Sequence, residues 1–465
     1  MTPQPSRSAD QSAPSRGEPR ELTLAVGAPA HGGHCVARPV DDPGGRVIFV
    51  RHALPGETVR ARLTEMTSRT WRADAVEILQ ASPDRVESVW PEAGPGGVGG
   101  GELAHVALDA QRTWKRWVLA DCLRRIGGQE VADAVAALPE ASAAAAVPIE
   151  PMPTDAAAQA SNSARRRALA GTATRTRVSL TVGEDGRPGM HAFRSGTVLP
   201  LRRLPLAVDA ITEIGLLERS RWRAHYRPGM RIEAIAPSGG EPVVLLDERL
   251  LTAQARSTGR RRVREVVDAS ALGLGELTYS VHAEGFWQVH VDAPRVLVER
   301  VVRGALGADL DGAAGSRVLE LYSGAGLFTL PLAALAGDRG QVLSLEGNEQ
   351  AVRDARRTLH DHPTARLASG RVSARSVREL AGSLTGGRPD VVVLDPPRQG
   401  AGREVIEAVG ALGAERIVLV ACDPAALARD LGTLLRSGYA LGSMSALDMF
   451  PHTHHFETIA VLERS

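Results

Sequence analysis

Residues 317–336 read RVLELYSGAGLFTLPLAALA. Val318 to Leu321 have the make-up of a short buried strand. Gly324 and Gly326 then allow a tight turn in which the backbone approaches a ligand, and the apolar run that follows predicts a helix. Strand, glycine turn and helix in this order open an α/β sheet whose ligands sit at the carboxyl ends of the strands. A dinucleotide fingerprint would have a third glycine where Thr329 stands. The next strand, QVLSLE, ends at Glu346, about twenty residues past Gly326, where an acid can take both hydroxyls of a ribose. A ribose grip without a pyrophosphate cradle suits S-adenosylmethionine better than NAD.

Two further strands end in chemistry-bearing residues. In VVVLDPPRQG (391–400), Asp395 closes the strand and two prolines fix the turn behind it, a rigid edge suited to gripping a planar base. In RIVLVACDPAALARD (416–430), the apolar strand stops at Cys422, with Asp423 as the cap and Pro424 as the first position of a helix. A thiol at a helix start is expected to be drawn toward thiolate by the amides and dipole. Finally, LGSMSALDMFPHTHHFETIAVLER (441–464) reads as two strands around the loop 448–455, with Glu457 opening the last strand as a candidate general base. His452, His454 and His455 have neither helical spacing nor a cysteine pair nearby, so they are read as a polar pocket wall and no metal site is expected.

Upstream the pattern changes. Residues 1–20, rich in Ser, Pro, Gln and Arg, are expected to be a disordered tail. ELTLAV, GRVIFV, ETVRARL and RADAVEIL predict an OB-like β-barrel over 21–80, with Arg51, His52, Arg69 and Trp71 as candidate RNA contacts. Residues 81–278 are expected to form a mixed α+β middle domain that binds RNA. Within it, PEAGPGGVGGG (91–101) excludes regular structure and 132–160 reads as an Ala-rich linker. Gln111 to Ile126 predict a helix that buries Trp114, Trp117, Val118, Cys122 and Ile126 and keeps Arg112, Lys115, Arg116 and Arg124 off that face, and 175–182 a strand with a basic outer face formed by Arg175 and Arg177. Arginine clusters at 165–167 and 260–264 make an RNA groove plausible.

Composition narrows the classes. At 465 residues the chain exceeds one core, and with 23% charged residues and a net charge of +1 it has no global basic field, so RNA contact must be local. Lys115 is the single lysine; every other basic residue is arginine. Cys35, Cys122 and Cys422 show no disulfide, zinc or cluster spacing. With no apolar run of membrane-span length and no signal-peptide core, a cytoplasmic monomer with no membrane partner is expected.

Taken together, LELYSGAGLF, LDPPRQG, ACDPAALARD, DMFPHTHHFE and GFWQVH (285–290) resemble the signature set of the RNA uracil-5 methyltransferases. The resemblance covers 279–465 and, as the family's OB-like TRAM module, 21–80. It implies a C-terminal class I, Rossmann-like, seven-stranded methyltransferase domain over 279–465, S-adenosylmethionine as methyl donor, and tRNA or rRNA as partner. By the same resemblance Cys422 adds to C6 of uracil and Glu457 removes the C5 proton, while Gln288, Tyr322, Glu346 and Asp395 contact the methyl donor, the uracil or both. Many members carry four cysteines for an iron–sulfur cluster, but GPGGVGGGELAH has glycines there, so no cluster is expected. Leu327 stands where the family commonly has a polar residue. The competing readings are an amino-methyltransferase built on the Asp-Pro-Pro turn, an RNA-binding protein with an inactive catalytic domain, and a small-molecule methyltransferase, which leaves the barrel unexplained.

Overall fold

The computed structural model describes residues 20–141, 146–310 and 313–465. The expected tail, Arg20 apart, lies outside them. The chain forms two compact units, one running through Ala30 and from His34 to Pro83, the other comprising His31–Gly33 and Asp84–Ser465.

The first unit is a closed five-stranded barrel of Glu21–Ala30, His34–Pro39, Ile48–Arg51, Thr58–Met66 and Trp71–Gln80. Alternation makes it: Leu24, Val26, Ile48, Val50, Val59, Ala61, Ala73 and Ala75 all turn inward and are buried. Two of the RNA-contact candidates are corrected here. Arg51 and His52 are buried side by side, with Arg51 facing Asp74 at 3.7 Å, so neither is an exposed side chain. Arg69 is exposed, and Trp71 lies under the Arg20 and Arg46 guanidinium groups.

In the second unit an eight-stranded sheet has the order Ala365–Ser369, Gln341–Glu346, Arg317–Leu321, Val391–Leu394, Arg416–Ala421, Glu457–Arg464, Tyr439–Asp448 and Ile149–Pro151. Seven of these strands come from the expected domain, and the eighth is donated by the segment read as a linker. Val318, Val342, Val393, Val418 and Val420 pack into a core on one face; Leu319, Leu321, Leu343, Leu345, Leu394 and Leu419 pack into a core on the other. Both faces are dry, and this explains why the strands read as continuous apolar runs. Helices Ala293–Leu306 and Thr329–Ala336 contribute to the first core, and Ala374–Gly382, Arg403–Ala411 and Pro424–Arg436 to the second.

The expected boundary at 278/279 does not separate two bodies. A six-stranded antiparallel sheet and a two-stranded ribbon do lie upstream of it. However, the ribbon strand Glu276–His282 crosses the boundary, and the Ala-rich stretch forms the helices Gln129–Ala136 and Pro153–Gln159 as well as the eighth strand. In the helix Leu108–Cys122, Trp114, Val118 and Cys122 are buried, but Trp117 is 44% exposed and Lys115 fully buried. The amphipathic reading put that lysine on the wet face; its partners Asp448 and the Phe450 carbonyl, the latter at 3.1 Å, draw it inside. Arg177 also leaves the expected basic face: it bonds the carbonyls of Ala283 and Gly285 and the carboxylate of Glu265. Among the described residues no helix is long and apolar enough to cross a membrane.

Candidate active site

The carboxyl edge of the large sheet opens into a cavity of about 1330 Å³ lined by Gln288, Tyr322, Gly324, Glu346, Asp395, Cys422 and Glu457 together. Pockets for one drug-sized ligand run to about 1,000 Å³, so this one has room for a second group beside a nucleoside.

Strand pairing sets the positions. Parallel pairs Leu321 with Leu394 and Leu394 with Leu419 bring Tyr322, Asp395 and the end of the Cys422 strand to the same edge. The last strand runs antiparallel and pairs Ala421 with Thr458, whose hydroxyl bonds the Ala421 carbonyl at 2.8 Å. Cys422 follows Ala421 and Glu457 precedes Thr458, so the two come next to the last pair of that register, and both line the cavity.

The glycine turn behaves as a cradle. Tyr322 and Gly324 have φ of 64° and 54°, and a Cβ on Gly324 would meet open space. Glu346 ties this turn to the next strand: one carboxylate oxygen accepts from Gly324 N at 2.9 Å and the other from Asn348 N at 2.7 Å. Each oxygen keeps a lone pair for a ligand hydroxyl. Gly326 is corrected: it does not line the cavity. Its φ is 87°, and a Cβ there would stand 3.2 Å from Ala355 Cβ, so it packs the turn against the helix Glu349–Thr358.

Burial and mutual repulsion shape the electrostatics. Burial first, then Glu346, push Asp395 up to about 7. Burial raises Glu457 well above the usual carboxylate range, with Asp395 adding and Arg398 opposing, and Glu457 Oε1 has no hydrogen-bond partner. Beneath them Glu320 accepts from Thr329 Oγ1 at 2.5 Å and is pushed up to about 8, mainly by burial. The surroundings of Cys422 work against the expected thiolate. The first free amides of the helix, Ala425 N and Ala426 N, are taken by Asp423 Oδ1. Burial, Glu457 and Asp395 push the Cys422 thiol up to about 12.

Sequence reasoning missed Phe286, 74% exposed on the cavity's lip beside Gln288, although GFWQVH contains it. It also missed Arg371 and Arg398, which line the same cavity, as does Arg261 of the expected 260–264 cluster. Of the three histidines His455 is in the wall, whereas His452 is turned inward, its ring against Gln111 Nε2 at 3.1 Å and the Ala170 carbonyl at 3.3 Å. Arg165, Arg166 and Arg167 lie exposed on a short helix, and Arg262 is paired with Asp354 at 2.9 Å.

Known proteins are similar to this chain in sequence and fold. The family described as tRNA (Uracil-5-)-methyltransferase matches residues 276–465, and the TRAM domain matches 18–76. An uncharacterized RNA methyltransferase of Streptomyces avermitilis is 39% identical, the match covering 95% of this chain and 98% of that one. A protein of Acinetobacter baumannii named 23S rRNA (uracil(1939)-C(5))-methyltransferase RlmD is 30% identical, over 94% of this chain and 92% of its own. The solved tRNA (uracil-54, C5)-methyltransferase of Pyrococcus abyssi, in complex with S-adenosyl-L-homocysteine, superposes with a TM-score of 0.61 over 94% of this chain and 99% of its own; at 19% identity this shows a common fold. With a TRAM barrel ahead of a sheet whose edge carries Asp395, Cys422 and Glu457 together, the chain belongs to the RNA uracil-5 methyltransferase family.

Proposed function

We propose that this protein methylates C5 of a uridine in ribosomal or transfer RNA, with Cys422 as the nucleophile and Glu457 as the base. The observation that supports this most is that Cys422 and Glu457 flank the last antiparallel pair, Ala421 with Thr458, and line one cavity. C5 of uracil is a weak nucleophile until a group adds at C6, and a thiolate adds there reversibly. The thiol holds its proton in these surroundings, and Asp395 is the carboxylate placed to take it as the uracil enters, which leaves Glu457 free for the later step. Sulfur then bonds to C6 as the C5=C6 electron pair moves onto C5 and the C4 carbonyl. S-adenosylmethionine supplies the methyl group that C5 takes up. Glu457 next removes the C5 proton, the C5–H electron pair forms the C5=C6 double bond, and the C6–S bond breaks to release Cys422.

The donor set suits this cofactor. Glu346 and the Gly324 turn offer a ribose site, with Tyr322 and Gln288 beside them, and a cluster of carboxylates that repel one another is relieved by a cationic ligand such as a sulfonium. With three cysteines in separate elements, the proposal includes no iron–sulfur cluster, and a colourless purified protein checks it. A cytoplasmic monomer completes the reading, with light scattering as the check on assembly.

The decisive experiment uses RNA carrying 5-fluorouridine, whose fluorine cannot leave as a proton. Wild type should give a covalent protein–RNA band on denaturing gels, and Cys422→Ala none. Glu457→Gln should accumulate the same adduct on ordinary RNA. If Cys422→Ala retains methylation, the thiol mechanism is wrong and the amino-methyltransferase reading replaces it. Mapping 5-methyluridine in RNA from cells lacking the gene then identifies the RNA and the uridine.

A further inference from the structure

Two segments far apart in the chain are stitched together beside the cavity. Leu103 N donates to the His452 carbonyl at 2.9 Å, and Gln111 Oε1 accepts from His452 N at 2.7 Å. Gln111 Nε2 donates to the carbonyls of Leu103 at 3.2 Å and Val106 at 2.8 Å. These bonds hold residues 102–106 against the loop 448–455, from which the chain passes into Glu457. Glu102, His454 and His455 meet at this seam, with one donor atom of each within 4.8 Å of the others. Glu102 Oε1 accepts from His454 N at 3.2 Å and also bonds His454 Nδ1. The Glu102 and His454 side chains are 11% and 22% exposed. His455 lines the cavity, and among the described residues its ring nitrogens have no hydrogen-bond partner. A Cβ on Gly33 would stand 3.1 Å from His454 Nδ1 and 3.2 Å from Glu102 Cγ, so glycine at that position keeps space around the donors.

We propose that Glu102, His454 and His455 bind a zinc ion that clamps the loop 448–455 to residues 102–106. Two imidazoles and a carboxylate form a zinc set, whereas magnesium and calcium take oxygen ligands. Donors about 2.1 Å from a zinc stand roughly 3.4 Å apart in a tetrahedron, so the present set closes by at most about 1.4 Å. The two imidazoles, with centroids 3.9 Å apart and planes tilted by 38°, make that adjustment by turning about their Cβ–Cγ bonds, a soft torsion. Three protein ligands leave the fourth position to water.

The neighbouring cations do not claim these donors. Lys115 is taken by Asp448 and the Phe450 carbonyl, and Arg175 donates to the Gly100 carbonyl at 3.3 Å. The histidine spacing gave no metal signal in the sequence because the third ligand, Glu102, lies 352 positions before His454. The ion's task is to hold the loop through which the chain enters the Glu457 strand. The site stands apart from the Cys422 and Glu457 chemistry, and its test needs no turnover.

The test uses the full-length protein without a polyhistidine tag. Elemental analysis should find one zinc ion per chain. After stripping with a chelator, calorimetry with zinc chloride should show one site with a Kd below about 1 µM. Glu102→Gln and His454→Ala should each weaken that binding at least about 100-fold, more than the loss of an outer partner costs. X-ray absorption at the zinc edge of the wild-type protein serves if a variant fails to fold: the expected shell holds two imidazoles and oxygen. Sulfur in that shell would assign the ion to a cysteine and overturn the site. So would wild-type zinc affinity in both variants, or a wild-type protein that neither retains nor rebinds zinc. Zinc should also slow hydrogen exchange in the peptide covering 448–457 by about tenfold or more, and unchanged exchange overturns the clamp.

Discussion

Glu320 offers a quantitative check on the electrostatics of the site. Its side chain is buried in the middle of the strand Arg317–Leu321, one oxygen bonded by Thr329 and the other without a partner. The folded protein keeps its proton up to about pH 8, whereas an unperturbed glutamate releases it at 4.5. The folded state therefore binds more protons across this window. The stability Glu320 contributes is complete below about pH 4.5 and is lost as pH rises through about 8. A raised value of this size corresponds to roughly 4 to 5 kcal/mol over the whole window, or between about 1 and 2 kcal/mol per pH unit. Glu320→Gln keeps an acceptor for Thr329 and abolishes the titration, at a pH-independent cost of about 1–3 kcal/mol for an amide hydrogen without a partner. Urea unfolding followed by tryptophan fluorescence should show the variant less stable than wild type near pH 5 and more stable near pH 8. Asp395, pushed up to about 7, gives a slope of its own that both proteins share. A constant difference between the two proteins across this range would show that Glu320 is not held as a neutral acid.

Three further outcomes are expected. Glu346→Ala should weaken S-adenosylmethionine binding by roughly 1.5–3 kcal/mol in calorimetry, the worth of charged hydrogen bonds, and unchanged affinity would move the ribose site elsewhere. Lys115→Met should destabilise the fold by roughly 3–5 kcal/mol in urea, because buried Asp448 then keeps only the more distant Arg112, at 3.9 Å, and adding Asp448→Asn should recover part of the loss. Cys422, pushed up to about 12, should react with iodoacetamide more slowly than a free cysteine at neutral pH and speed up as pH rises; mass spectrometry of the peptide reads the rate.

Four central strands of the large sheet, Arg317–Leu321, Gln341–Glu346, Val391–Leu394 and Arg416–Ala421, were legible because both faces are buried, so each appeared as a largely apolar run; Ala365–Ser369 was not read. The same ends gave Glu346, Asp395, Cys422 and Glu457, since a strand's carboxyl edge is where such a fold exposes side chains. What sequence could not show is pairing between distant segments. Ile149–Pro151 is too short and too Pro-rich to signal a strand, and it is one only because Tyr439–Asp448 offers it an edge. Lys115 looked like a surface residue for the same reason: its partners lie more than 300 positions away. The ionisation state of Cys422 was misread because the helix-start argument counts amides without asking which group takes them, and Asp423 takes the first two. Gly326 was grouped with Gly324 by spacing, although only one of them faces the cavity.

The short eighth strand also governs what the sheet can do at high concentration. It lies along the edge of Tyr439–Asp448 for three residues, Ile149 to Pro151, and Pro153 follows just beyond. Proline has no amide hydrogen to offer, and so short a run cannot template another chain's strand. The Ala446–Asp448 end of that edge, next to Glu457, is thereby capped by a segment that resists extension. Crowded copies of the protein lack a sticky rim there through which to polymerise, and losing that segment by proteolysis should appear first as aggregation.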